Sequence, residues 1–168
     1  MKGLSPPNLL LAASNPLKMI ENLSHLLEPN ELGKLTNELD RNVIALFALG
    51  ESHYSFAATL INKDWRQKIS RLYYGVYNVR RAVVLKHSGG FSTDSSDHKY
   101  VDQLPDATSN KQSHIVNLRA LREDRNLADY SHLATATDLV IAPDDALKFA
   151  TQFISDCRQF LLQNGLAL

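Results

Sequence analysis

An arginine and a histidine interrupt an apolar helical stripe in the C-terminal half of the chain. The stripe has the alternating spacing of three and four residues that marks one helix face, and it runs through Leu118, Leu121, Arg125, Ala128 and His132. Charged groups on a face that is buried are costly unless they are paired or used. This face therefore either ends at a polar seam or carries a functional site.

The two polar residue types suit the cleavage of a phosphodiester bond. Arginine presents a forked donor that stays charged and matches phosphate oxygens. Histidine, with an unperturbed pKa of about 6.5, takes a proton from a ribose 2′-hydroxyl or gives one to a leaving oxygen, and no metal is needed. Arg119 and Arg122 form a ladder with Arg125 that can line an RNA path, although Glu123 and Asp124 dilute its charge.

On one helix, Arg125 and His132 are too far apart to bind one atom. Their seven-residue spacing turns the helix by about 700°, which places them near one face but about 10.5 Å apart along the axis. A two-fold dimer that brings Arg125 of one chain to His132 of the other closes this gap, as does a helix that frays after Tyr130. The alternative is a structural polar layer in which Arg125 pairs with Asp129 one turn further on.

Length and composition indicate one soluble globular domain. The chain has 168 residues, of which 44% are hydrophobic and 21% are charged, and 18 basic residues balance 18 acidic ones. This balance argues against a strong overall attraction to nucleic acid, and nothing points to DNA, but a local basic patch stays open. The single cysteine, Cys157, excludes an intrachain disulfide. It fits a reducing cytoplasm, and its apolar helical surroundings predict a buried thiol.

The sequence predicts neither a membrane span nor a metal or cofactor site. No run approaches the roughly 20 apolar residues that a span needs. His25, His53 and His114 lack the spacing of metal ligands, such as two histidines four apart with an acid. The apolar run over residues 9–13 is short for a signal sequence, and we expect it to be a packing arm.

Hydrophobic periodicity predicts an almost entirely helical chain. We expect an all-α, up-and-down four-helix bundle over 36–168, preceded by an N-terminal arm and short helix over 1–35. A stretch over 134–141 reads as extended. The expected helices begin at the Asn15 cap and end at Gly165, with bounds near 16–27, 36–61, 65–87, 111–130 and 143–164.

Residues 91–110 are polar and predict a mobile loop. One helical turn around 98–103 fits within this loop. His98 is therefore either a solvated loop residue or a second acid/base group that reaches the cleft where Arg125 and His132 would meet.

The helix before this loop carries aromatic and basic residues with two interpretations each. Tyr73, Tyr74 and Tyr77 are either core and interface aromatics or platforms on which bases stack. Arg80 and Arg81 either complement the C-terminus of their helix or bind phosphates. Residue types alone leave both pairs of alternatives open.

Several short motifs resemble those of HEPN domains. Arg125-Asn126, five further residues and His132 resemble the Arg-x4–6-His signature, and residues 125–130 are similar to the Arg-x-x-Ala-Asp-Tyr version of one branch. Residues 70–77 resemble the earlier Ser-Arg-x-Tyr-Tyr-Ala-x-Tyr/Phe helix of that branch. Residues 97–99 resemble its Asp/Thr-His-Lys/Ser element. The resemblance covers roughly residues 36–165.

The resemblance implies a dimerising helical bundle, and many HEPN proteins are metal-independent endoribonucleases, often toxins or defence effectors. Arg125 would contact the scissile phosphate, Asn126 would orient it, and His132 would act as the acid/base group at a dimer cleft. The alternative is a non-catalytic HEPN module that binds a nucleotide, an RNA or a nucleotidyltransferase-type antitoxin partner. Further residues expected to contact the substrate are Arg122, Asp129, Tyr130, Tyr74 and His98.

Overall fold

The described part of the chain is all-helical, as predicted. The computed structural model describes residues 15–92 and 94–168, and in these ranges it contains five α-helices and no β-strand. Three short 3₁₀ segments connect them, at Asn62–Asp64, Ser95–Tyr100 and Ala136–Asp138. The predicted packing arm at 9–13 lies outside the described residues. The helices are Pro16–Leu23 (α1), Pro29–Thr59 (α2), Trp65–Ser88 (α3), Lys111–Tyr130 (α4) and Pro143–Gln163 (α5).

The predicted bounds agree best where capping and punctuation signals are strong. α3 and α4 begin and end within one residue of the sequence prediction. α2 begins at Pro29 rather than at residue 36, because proline opens the first turn and the Glu31 side chain accepts the backbone N–H of Glu28 at 3.1 Å. The predicted boundary between the N-terminal arm and short helix, 1–35, and the bundle, 36–168, therefore falls within α2. α1 ends at Leu23, earlier than expected.

α3 is the central helix of the core. It packs against α2, α4 and α5, and most of its side chains are buried. Burying a large apolar side chain contributes about 1.5–3 kcal/mol relative to leaving it exposed, so these residues dominate the stability of the fold. The largest fully buried side chains of α3 are Tyr73, Ile69, Leu72, Leu85 and Val76.

α2 and α3 form an antiparallel hairpin with a close approach at Gly50. A Cβ atom at Gly50 would lie 2.6 Å from Val79 Cγ2 and 2.7 Å from the carbonyl oxygen of Gly75. Further along the pair, Lys86 Nζ donates to Asp40 Oδ1 at 2.7 Å. Any side chain at position 50 would push the helices apart, so the glycine sets the register of α2 on α3.

Two side chains fix the segment that follows α4. The fully buried Asp124 accepts the backbone N–H groups of Val140 at 2.7 Å and Ile141 at 2.9 Å. Burial raises the pKa of this carboxyl although both N–H groups favour its charged form. Arg66, at the start of α3, donates to the backbone carbonyls of Ala128 at 3.0 Å and Ala134 at 2.6 Å. The stretch predicted as extended is thereby held against α4, but it contains the 3₁₀ segment Ala136–Asp138, so the prediction is wrong at these residues.

The segment between α3 and α4 packs on the bundle, although the sequence predicted a mobile loop. Val101 is fully buried and Leu104 is 8% exposed. Arg80 Nε donates to the carbonyl of Gln103 at 3.1 Å, and Arg81 Nη2 donates to that of Ser92 at 2.8 Å. The two arginines therefore hold this segment on α3.

Two further predictions concern the thiol of Cys157 and the absence of a membrane span. Cys157 is fully buried on α5, as predicted, and burial raises the pKa of its thiol well above the usual value. None of the helices in the described ranges combines the length and the apolar character that a bilayer crossing requires.

Candidate functional site

Arg125 lies at the centre of an aromatic cluster near the C-terminal end of α4. Its side chain is largely buried, and Nη2 donates a short hydrogen bond to the Tyr74 hydroxyl. Its Cζ atom lies 5.2 Å from the ring centroid of Tyr74, 5.5 Å from that of Tyr73 and 5.3 Å from that of Tyr130. Cations over aromatic faces gain electrostatic attraction. The three rings therefore hold the guanidinium in one place.

The remaining guanidinium nitrogens of Arg125 contact neighbours on α4. Nη1 donates to Asn126 Oδ1 at 3.3 Å, and Nε lies 2.8 Å from Asp129 Oδ2. The Nε–H bond is poorly aligned with that oxygen, so the contact is an ion pair without a directed hydrogen bond. The pair expected of a structural layer is thus present. Burial acts to lower the pKa of Arg125, but Tyr74 and Asp129 raise it overall, so the group stays charged.

His98 joins this cluster from the 3₁₀ segment between α3 and α4. Its Nδ1 lies 2.7 Å from the Tyr73 hydroxyl, and its ring stacks on that of Tyr77 with centroids 4.3 Å apart. Burial and then the charge of Arg125 lower the pKa of His98. A neutral imidazole at pH 7 can accept a proton. These contacts place His98 in the Arg125 cluster rather than in a solvated loop.

The tyrosines of α3 divide between core and site. Tyr73 is fully buried and Tyr77 is 7% exposed, as expected of core aromatics. The Tyr77 hydroxyl donates to Asp97 Oδ2 at 2.9 Å, and burial followed by this hydrogen bond raises the pKa of Tyr77 to about 12. Tyr74 is only half-buried. Tyr74 is therefore the α3 tyrosine that hydrogen-bonds Arg125 while remaining partly exposed.

His132 lies beyond the end of α4 and is exposed. The helix stops at Tyr130, so the last position of the apolar stripe is not helical. Within the described residues, no hydrogen bond, ion pair or ring contact joins His132 to Arg125. The structure instead brings His132 together with Asn126 and Tyr130, which line an open groove of about 570 Å³. Arg125 borders this groove through its contacts with Asn126 and Tyr130.

The predicted arginine ladder on α4 is neutralised by carboxylates. Arg119 Nε lies 2.6 Å from Asp102 Oδ2, and Arg122 Nη2 lies 2.9 Å from Glu123 Oε1. Exposed pairs of this kind contribute little stability, but they lower the local positive potential. A path for RNA along these two residues is therefore less favourable than the sequence suggested.

Sequence reasoning missed two residues beside the cluster, His53 and Arg71. The ring centroid of His53 lies 5.9 Å from that of Tyr74, and Arg71 Nη1 lies 3.4 Å from His53 Nδ1. The spacing of His53 is informative only about metal binding, which it argues against, and gives no other functional signal. The available signal was Gly50, because a close approach there sets the register of the antiparallel hairpin and places His53 beside the tyrosines of α3.

The arrangement suits acid–base chemistry at an anionic group. It combines a charged arginine, a neutral histidine and tyrosine hydroxyls, and Asn126 and Tyr130 link the arginine to the open groove. The part of the chain that the structure describes has no group of three or more acidic, histidine or cysteine side chains placed to hold a metal ion. Searches with protein-family models, curated proteins and solved structures found no match to this chain. The function must therefore be argued from the residues and their geometry.

Proposed function

We propose that this chain is a HEPN-type, metal-independent endoribonuclease that acts in the cytoplasm as a homodimer. The observation that carries the proposal is the position of the charged Arg125, within 5.5 Å of three tyrosine rings and bordering the groove of His132. A cation that is rigidly held yet close to solvent is suited to a phosphate ligand. The motifs around Arg125 resemble the HEPN signatures and agree with this assignment.

The proposed fold is an up-and-down bundle of α2 to α5, with α1 as the additional N-terminal helix. Neighbouring helices run antiparallel where side chains join them, which supports this arrangement. The supporting contacts are Asp40 with Lys86, Arg66 with the Ala128 carbonyl, His114 with Asp156, and Glu51 with Arg158.

The proposed reaction is attack of a ribose 2′-oxygen on the adjacent phosphorus. Arg125 binds the non-bridging oxygens and stabilises the charge that develops on them. His98, whose pKa is lowered, accepts the 2′-hydroxyl proton, and His132 gives a proton to the departing 5′-oxygen. The bond to the 5′-oxygen breaks as the bond to the 2′-oxygen forms, which leaves a 2′,3′-cyclic phosphate and a 5′-hydroxyl. His132 reaches the same cleft across the two-fold axis of the proposed dimer.

A second candidate is a non-catalytic HEPN module that binds a nucleotide, an RNA or a nucleotidyltransferase-type antitoxin partner. The observation that favours it is the engagement of all three guanidinium nitrogens of Arg125 within the chain, with Tyr74, Asn126 and Asp129. A ligand would then have to compete for them. His132, which contacts none of these groups, would be a groove residue without a catalytic role.

Cleavage of a labelled single-stranded RNA in EDTA separates the two candidates. The enzyme proposal predicts cleavage by the wild type and a loss of about 100-fold or more in Arg125→Ala and His132→Ala. Arg41→Ala is the matched control, because the Arg41 side chain is 77% exposed and its partner is the neighbouring Glu38 on the same helix. RNA binding without cleavage that is lost in Arg125→Ala would select the binding module. Equal cleavage by the wild type and both site variants would refute the catalytic assignment.

A further inference from the structure

Arg71 differs from the other arginines of this chain in its partners. Every arginine of the chain lies within the described residues. Arg66 donates to backbone carbonyls, and the remaining seven lie within 4.0 Å of a carboxylate. Arg71 has neither kind of partner among the residues that the structure describes. Its charge is instead next to a histidine and a phenylalanine of α2. Its charge is therefore available to an anion from outside the chain.

The neighbours of Arg71 suit a nucleotide. Arg71 Cζ lies 5.7 Å from the ring centroid of Phe56, which is 51% exposed although it is a large apolar side chain. His53 Nδ1 lies 3.4 Å from Arg71 Nη1, and burial followed by the charge of Arg71 lowers the pKa of His53. A neutral His53 that accepts from Arg71 at Nδ1 carries its proton on Nε2, where it is a donor. The set offers a ring, a donor and a cation that has no carboxylate partner among the described residues.

This set is continuous with the Arg125 cluster. His53 lies against the ring of Tyr74, and the Tyr74 hydroxyl accepts from Arg125. Arg71 and Tyr74 are three residues apart on α3, so they share one face of that helix about one turn apart. A polynucleotide with one phosphate at Arg125 would pass over this face.

We propose that His53, Phe56 and Arg71 form a second nucleotide subsite for single-stranded RNA, in which a base stacks on Phe56 and a phosphate binds Arg71. This inference rests on the proposed function, since it extends the same RNA across the hairpin of α2 and α3. Stacking on aromatic rings tolerates any base, and arginine binds phosphate in a bidentate manner. A second copy of the chain is the competing occupant of this face, and the oligomeric state of the variants tests it.

Binding of a labelled, cleavage-resistant 2′-deoxy-substituted RNA to the full chain tests the subsite separately from catalysis. We expect Phe56→Ala and Arg71→Met each to weaken binding about tenfold. Arg71→Met also lowers the slope of log affinity against log salt by about 0.7, and Arg71→Lys retains that slope. The matched controls are Arg41→Met and Val116→Ala, whose side chains are exposed on other surfaces.

Three outcomes would overturn the inference in distinguishable ways. If the wild type binds RNA and both subsite variants bind equally well, the subsite is wrong and the proposed function stands. If the wild type binds no RNA, both are wrong. If Phe56→Ala reduces the oligomeric state measured by sedimentation, the face belongs to a second copy of the chain. Thermal unfolding of each variant establishes that the proteins compared are folded.

Discussion

α4 contributes to two polar clusters that differ in their access to solvent. Near its N-terminus, the side chains of His114 and Asp156 are only 3% and 7% exposed, and Asp156 accepts hydrogen bonds from three side chains. Near its C-terminus, Arg125 is held against Tyr130, which is 72% exposed and lines the open groove. Both clusters contain residue types that can do chemistry; the second borders the open groove, whereas the His114 and Asp156 side chains of the first are almost fully buried.

The closed cluster joins α4 to α5. Burial acts to raise the pKa of Asp156, but hydrogen bonds from Asn110, His114 and Gln152 lower it overall, so the carboxylate is charged and satisfied. Among the residues that the structure describes, the His114 Nδ1 atom is buried without a hydrogen-bond partner. Because the His114 and Asp156 side chains are only 3% and 7% exposed, the cluster is closed to a substrate. The cluster therefore stabilises the fold, and a histidine beside an aspartate does not by itself indicate a site.

The largest expected effect is the loss of stability when the closed cluster is disrupted. Asp156→Ala leaves its three donors without an acceptor, and we expect the free energy of unfolding to fall by about 3 kcal/mol, the lower end for breaking a buried pair. Urea denaturation measures this loss. The exposed Asp145, paired with Lys148, provides the control Asp145→Ala, which should leave the midpoint unchanged. Equal midpoints for the two variants would mean that the closed cluster does not stabilise the fold.

The next effect is on catalysis at the open cluster. His98→Ala should reduce RNA cleavage in EDTA by about 100-fold, because it removes the neutral base beside Arg125. Its unfolding midpoint should change far less than that of Asp156→Ala. His25→Ala, at an exposed histidine of the first connection, is the control. Cleavage by His98→Ala at the wild-type rate would remove His98 from the mechanism and leave His132 as the acid/base candidate.

A smaller effect is expected from the hydroxyl that orients Arg125. Tyr74→Phe retains the ring and removes the oxygen that accepts from Nη2. We expect a loss of about 1 kcal/mol in the free energy of unfolding, typical of one hydrogen bond. Tyr100→Phe, at a tyrosine that is 48% exposed, serves as the comparison. A midpoint as high as that of the wild type would show that solvent replaces this contact without cost.

The smallest expected effect is a change in stability with pH, caused by protonation of His98 in the open cluster. The folded-state pKa of His98 is lowered by burial and Arg125, so the unfolded chain binds more protons as the pH falls below about 6.5. This contribution to stability is complete above that pH and is lost below it. The urea midpoint should decrease as the pH is lowered from about 7.5 to about 5.5, and it should decrease less in His98→Gln. The same dependence in both proteins would contradict the position of His98 in the cluster.

The sequence predicted elements whose signals are local. The bounds of α4 were predicted correctly because its apolar stripe and the signals that end it are both local in sequence. The Arg125–Asp129 pair follows from a spacing of one helical turn, so it was also foreseeable.

The position of His98 was not foreseeable because it depends on tertiary packing. Its segment has no hydrophobic period, and it is held by Arg80 and Arg81, whose partners are backbone carbonyls and Asp97. Residue types cannot reveal such partners. The same limit applies to Arg71, whose lack of a carboxylate partner becomes visible only when the side chains of the described residues are placed.

The most direct test asks whether Arg125 serves a ligand or the fold, by measuring the stability and the RNA cleavage of Arg125→Met together. Arg125→Met removes one member of a partly buried ion pair and leaves Asp129 and the Tyr74 hydroxyl without that partner, so some loss of stability is expected. We predict an unfolding free energy lowered by about 1–2 kcal/mol, less than in Asp156→Ala, with cleavage in EDTA reduced by about 100-fold or more. A variant that is destabilised as much as Asp156→Ala, and whose folded fraction cleaves RNA at the wild-type rate, would contradict the account.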